Sequence, residues 1–199
     1  LNVREYMKPE PTPPWMPPAP APKRVFDDDE LVAVLACPVT KGAKLGDPLD
    51  LTGQIDPEGR RFFSLSDGYW KIFVVYLTRN AKGRNNYINF MDRESCRLLI
   101  DAVYEPHYAH YADYFGNVIA GFFSDEPPIG NTEGYMPAGP IGTAGQNLPW
   151  SREAAARLTK EFGGEGWKRH LPYLWADAAD ANMQAKERGA FMQIVSKLV

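Results

Sequence analysis

The sequence predicts an α/β fold in which a small antiparallel β-rich unit precedes a segment of alternating helix and strand. Three observations predict it. Between residues 25 and 79 the apolar residues fall in short runs separated by turn signals. After residue 86 the apolar spacing lengthens from two to about 3.6. A helical pattern, a glycine and a short apolar run then follow one another between Asp92 and Phe123, which is one repeat of a helix–strand architecture.

The elements follow in chain order. Eight of the 18 prolines precede residue 23, in a stretch from Lys8 to Pro22 that also holds Trp15 and Met16, so residues 1–24 are expected to run as an extended proline-rich strap. The apolar runs Leu31–Pro38, Arg61–Leu65 and Tyr69–Leu77 are expected strands, with Asp67-Gly68 as a hairpin turn between the last two and Asp56-Pro57-Glu58-Gly59 as a further turn. On the last strand Trp70, Ile72, Val74 and Tyr76 share one face and Phe73, Val75 and Leu77 the other, so both faces are expected to be covered. Asp92 can cap a helix whose apolar stripe runs through Cys96, Leu99, Ile100, Val103, His107, Tyr111 and Tyr114 to Gly116, with Pro106 kinking or dividing it. Val118–Phe123 reads as a buried strand, and residues 127–150 as a long Gly- and Pro-rich loop. Ser151 opens a helix ended by Gly163-Gly164, a shorter segment carries Trp167, Leu171, Leu174 and Trp175, and Asp177 or Asp180 opens a last helix with Met183, Phe191, Ile194, Val195 and Leu198 as its apolar positions.

Composition narrows the function classes. The 22 Lys and Arg against 25 Asp and Glu give a formal charge of −3, which provides no basic field for a phosphate backbone, so nucleic acid is not an expected partner. No apolar run approaches the roughly 20 residues that cross a bilayer, and no membrane partner is expected. No signal-peptide pattern opens the chain, which leaves the compartment open with the cytoplasm slightly favoured. Cys37 and Cys96, each inside an apolar stretch, suggest neither a disulfide framework nor a zinc knuckle.

The richest chemistry lies at Ser124-Asp125-Glu126-Pro127. Two carboxylates follow the carboxyl end of an expected buried strand, where α/β folds place ligands, and a long loop follows to build a wall. Pro127 holds Glu126 extended, and adjacent side chains on extended backbone point to opposite sides, so Asp125 and Glu126 are expected to have different tasks. A carboxyl at the edge of an aromatic-lined cavity titrates high through desolvation, as a general acid near neutral pH requires. The plain alternative is two solvated turn carboxylates. Arg79, Asn80, Asn85, Asn86, Tyr87 and Asn89 supply amides and a guanidinium suited to sugar hydroxyls, or else form turns. Glu105, beside Pro106, either reaches the same pocket or makes an ion pair in the scaffold. Trp150 either stacks on a sugar ring or closes the loop as a core residue.

The runs Asn86–Asp92, Ile100–Tyr108 and Tyr114–Pro127, with Leu148-Pro149-Trp150 and Leu171-Pro172, resemble the central part of a large bacterial family of (β/α)8-barrel glycoside hydrolases, rhamnosidase-like and galactosidase-like enzymes whose barrel is interrupted by a β-rich insertion. The resemblance covers roughly residues 84–175. It implies a partial (β/α)8 segment over residues 81–199, with residues 25–80 as the β-rich insertion. It also implies Glu126 as general acid/base, with Asp125 beside it where the wider clan usually has Asn, and Arg79, Asn80, Asn86, Asn89, Glu105 and Trp150 as substrate-binding candidates. The implied partners are a carbohydrate substrate containing rhamnose, galactose or a related sugar, and the remainder of the barrel polypeptide. The mechanism requires no cofactor and no metal. Glycoside hydrolysis uses two carboxylates, and no second strand-end carboxylate follows Glu126, so a fragment of the catalytic domain, inactive alone, is expected. The competing reading is a non-catalytic carbohydrate-binding or interaction module.

Two further patterns are set aside. His107, His110 and Asp113 recur at three-residue steps as metal ligands can, but they belong to the aromatic stripe, and a core or interface role is preferred. Gly139–Gly145 follows no buried strand and lacks a Lys-Ser/Thr ending, which excludes a phosphate loop.

Overall fold

The computed structural model of the protein describes residues 1–7, 29–54, 63–79, 87–125, 127, 129, 132–133, 136–137 and 139–199. The proline-rich part of the expected strap and the Asp56–Gly59 turn lie outside the described residues. The architecture is mixed α/β, built on an open antiparallel sheet. Its three long strands are β1 (Asn2–Met7), β2 (Glu30–Pro38) and, after the two-residue β3 (Leu49–Asp50), β4 (Trp70–Leu77). β4 lies in the middle, flanked by β1 and β2, and β3 borders the outer side of β2. Leu35 stands opposite Phe73 and Val34 opposite Val74, so the two apolar strands present matched faces.

Both faces of this sheet are covered, as the double-sided pattern of β4 predicts. Leu35, Cys37, Phe73 and Val75 point into the main core, whereas Val34, Ala36 and Val74 meet Leu51 with the half-buried Phe63, Leu65, Trp70 and Ile72 on the other side. The alternation follows from strand geometry, in which successive side chains take opposite faces.

Two helices follow the sheet. α1 (Arg93–Leu99) starts at Asp92, whose carboxylate accepts from Ser95 N at 2.9 Å, and α2 spans Glu105–Tyr111. Between them Ile100–Tyr104 widens into a π-turn, with Glu105 N donating to Ile100 O, and a 3-10 turn over Ala112–Tyr114 closes the segment. The helical segment is thus divided just before Pro106, which falls in the first turn of α2. This proline lacks a donor and crowds the preceding turn, and the wider turn there accommodates both. A short antiparallel pair, β5 (Thr132–Glu133) and β6 (Met136–Pro137), comes next.

The helical half of the core is α3 (Arg152–Glu161), a 3-10 segment over Glu165–Leu174, and α4 (Ala181–Leu198). Ser151 Oγ accepts from Ala154 N at 3.0 Å, and Asp180 accepts from Asn182 and Met183 N at 2.9 and 3.0 Å, so both helices begin at side-chain caps. Gly163, at φ 68°, lets the chain turn away after α3. Trp167, Leu171, Leu174 and Trp175 from the 3-10 segment and its end pack with Phe191, Ile194 and Val195 of α4 against the sheet. Each such tryptophan removes about 150–250 Å² from water, worth roughly 4–6 kcal/mol at about 25 cal/mol per Å². Their ring nitrogens stay satisfied: Trp167 Nε1 donates to Thr159 Oγ1 at 3.0 Å and Trp175 Nε1 to Gln146 O at 2.7 Å.

Backbone bonds tie this half to the sheet and its loops. Leu45 N donates to Asp177 O at 2.8 Å and Ala179 N to Leu45 O at 2.7 Å, while Leu148 N donates to Leu1 O at 2.9 Å. No helix among the described residues is long and apolar enough to cross a membrane.

Four expectations need correction. The described residues form no barrel and their named strands pair only antiparallel. Val118–Phe123 is not a strand, with Val118 76% and Phe123 88% exposed, because no neighbouring strand among the described residues supplies partners for its backbone. Asp67-Gly68 makes no hairpin with the preceding run: residues 63–66 are not strand, and β4 is already paired on both sides by β1 and β2. β1 belongs to the sheet although it lies within the stretch expected to be strap.

Candidate functional site

The carboxylate pair at the end of the apolar run is the natural place to start. Gly116, at φ 83°, turns the chain after the helical segment, and Val118 N and Ile119 N both donate to Tyr114 O, at 3.0 and 2.9 Å. The turn sends residues 118–123 back beside the helix they follow. Phe122 meets Tyr104 edge to face at 4.8 Å between centroids and lies 5.8 Å from Phe115, which in turn meets Tyr108 at 5.3 Å. Edge-to-face contacts of this kind contribute about 0.5–1.5 kcal/mol each beyond area burial. Asp125, three residues after Phe122, is exposed. Glu126 lies outside the described residues, as do Asn80, Asn85 and Asn86.

The remaining candidates separate into distinct places. Asn89 has both ends of its amide engaged, Nδ2 donating to Trp150 O at 2.7 Å and Oδ1 accepting from Met91 N at 3.1 Å. It joins the start of the helical segment to the end of the long loop. The Trp150 ring lies 5.5 Å from Trp167 and stacks on Phe191 at 6.4 Å and 14°, so the half-buried indole packs along the edge of the core. Glu105 sits 3.8 Å from Arg97, whose guanidinium also holds Asp101 at 2.6 Å, a solvent-exposed ion network worth little to stability. The hydrogen bond and charge of Asp101 push the Arg97 guanidinium further up in pKa. Arg79 and Tyr87 are exposed. The structure thus brings Asn89 to Trp150 and Glu105 to Arg97, and it does not join either pair to Asp125.

His107 and His110 are exposed rather than in a core, with His107 Nδ1 2.7 Å from Val103 O and His110 packed edge to face on Tyr111. Among the described residues no group of three or more His, Cys, Asp or Glu side chains is placed to hold a metal.

The sequence reading missed the polar pins of the body. Glu187, on α4 and 5% exposed, meets His170 Nδ1 at 2.9 Å, and the His170 ring stacks on Tyr173 at 5.6 Å and 16°. Arg188 donates from Nε to Tyr173 O at 2.7 Å and from Nη2 to Ala176 O and Asp177 Oδ1, both at 3.1 Å. Arg169 binds the Asp47 carboxylate and donates to Pro48 O. Each of these joins segments far apart in sequence or in different elements, so no local spacing signals them. Gln146, 5% exposed, donates from Nε2 to Gly139 O at 2.7 Å, and its Oε1 has no hydrogen-bond partner among the described residues.

Comparison with protein families, with curated proteins and with solved structures finds no match to this chain.

Proposed function

We propose that the chain is part of the catalytic domain of a (β/α)8 glycoside hydrolase, with Glu126 as general acid/base and Asp125 as its polar neighbour. The observation that carries this reading is the exposed apolar run before the two carboxylates. Val118, Phe122 and Phe123 are 76%, 54% and 88% exposed, although a run of this composition is suited to burial on both sides. In a completed barrel such a run is a strand between two neighbours, and the carboxylates after it sit at the catalytic end. In this reading the antiparallel sheet, with the helices packed on it, is the β unit that flanks or interrupts the barrel.

In this reading Glu126 protonates the leaving-group oxygen of a glycoside. A second carboxylate, supplied by the rest of the barrel polypeptide, either attacks the anomeric carbon from about 5–5.5 Å or activates water from about 6.5–9.5 Å. Asp125 is the polar neighbour of Glu126, with a different task because adjacent side chains on an extended backbone point to opposite sides. Asn89 and Trp150 act in this scheme through the scaffold, by fixing the ends of the segment between them.

The test is kinetic. The 199-residue chain alone is expected to release almost no aglycone from aryl glycosides. Joined to the rest of its barrel it turns them over, and Glu126→Gln lowers kcat/KM by roughly 10²–10⁴-fold. Equal turnover by wild type and variant contradicts the proposal. The second reading, a non-catalytic module that binds carbohydrate or a protein, is favoured by the exposed aromatics Tyr108, Tyr111, Tyr114 and Phe122. It predicts saturable ligand binding with no turnover in either polypeptide.

A further inference from the structure

We draw no further inference here: the strongest candidate, the exposed aromatic face of the helical segment over residues 93–123, carries nothing beyond the proposal above because nothing in the structure shows what covers it.

Discussion

The helices before and after the long loop begin alike and end differently. α1 and α3 both start at a side-chain cap, Asp92 in one and Ser151 in the other, and both carry apolar residues at helical spacing. α3 and α4 bury Ala154, Leu158, Phe191, Ile194 and Val195. The segment from α1 through the 3-10 turn after α2 buries no residue, and neither does the run from Phe115 to Asp125. An apolar stripe therefore records that a helix face is suited to burial. It does not say that the covering surface is nearby. The described residues comprise a packed body and an arm joined to it at Met91 and Asn89, within which Tyr104, Tyr108, Phe115 and Phe122 make local aromatic pairs.

The largest expected effect breaks the body. Trp175→Ala empties a site that is 1% exposed and strands Gln146 O, so stability falls by about 3–5 kcal/mol in denaturant unfolding. A loss below about 1 kcal/mol would mean that the core is less closely packed than described.

Alkaline pH acts on the same half. Burial pushes the Cys37 thiol up to about 12, and burial with the nearby Cys37 and Asp47 pushes the Tyr173 phenol up to about 12. Both groups keep their proton in the folded state where the unfolded chain releases it. Their contribution is complete below the ordinary thiol and phenol values and is lost as pH rises toward 12, with a slope of at most about 1.4 kcal/mol per pH unit per group. Unfolding curves at pH 8 and pH 11 check the sign, and a gain in stability at the higher pH would contradict it.

Capping distinguishes the two regions at smaller magnitude. Ser151→Ala should cost about 1 kcal/mol of global stability, because α3 is part of the core. Asp92→Ala should lower far-UV helicity and leave the unfolding midpoint unchanged, because α1 can fray without exposing the body. A shared drop in midpoint would show that arm and body unfold together. Smallest of all, Phe123→Ser changes the stability of this chain by no more than about 0.5 kcal/mol, since the ring is 88% exposed. On the proposed barrel reading, the same substitution in a longer polypeptide that covers this run is expected to be strongly destabilising, which separates a run awaiting strand partners from a surface loop.

How much was legible follows the same division. The caps at Asp92, Ser151 and Asp180, the two faces of β4 and the apolar positions of α4 depend on local geometry, and sequence spacing reports local geometry directly. The pairing of β4 was not legible, because Asp67-Gly68 is a turn signal that says nothing about which distant strand competes for the edge, and β1 wins it from the far end of the chain. Trp150 and Asn89 are ambiguous for a similar reason: an amide and an indole suit a sugar and a loop closure equally, and their spacing in the sequence does not show that Asn89 reaches the Trp150 carbonyl. Val118–Phe123 read as a strand because its composition fits one, yet strand formation needs hydrogen-bonding partners that the run itself does not contain.

Amide hydrogen exchange tests the division into body and arm most directly. Amides of α1 and α2 are expected to exchange at least about 100-fold faster than those of β2 and β4, a gap of roughly 2.7 kcal/mol in opening free energy. Protection of α1 and α2 equal to that of β2 and β4 would contradict the account.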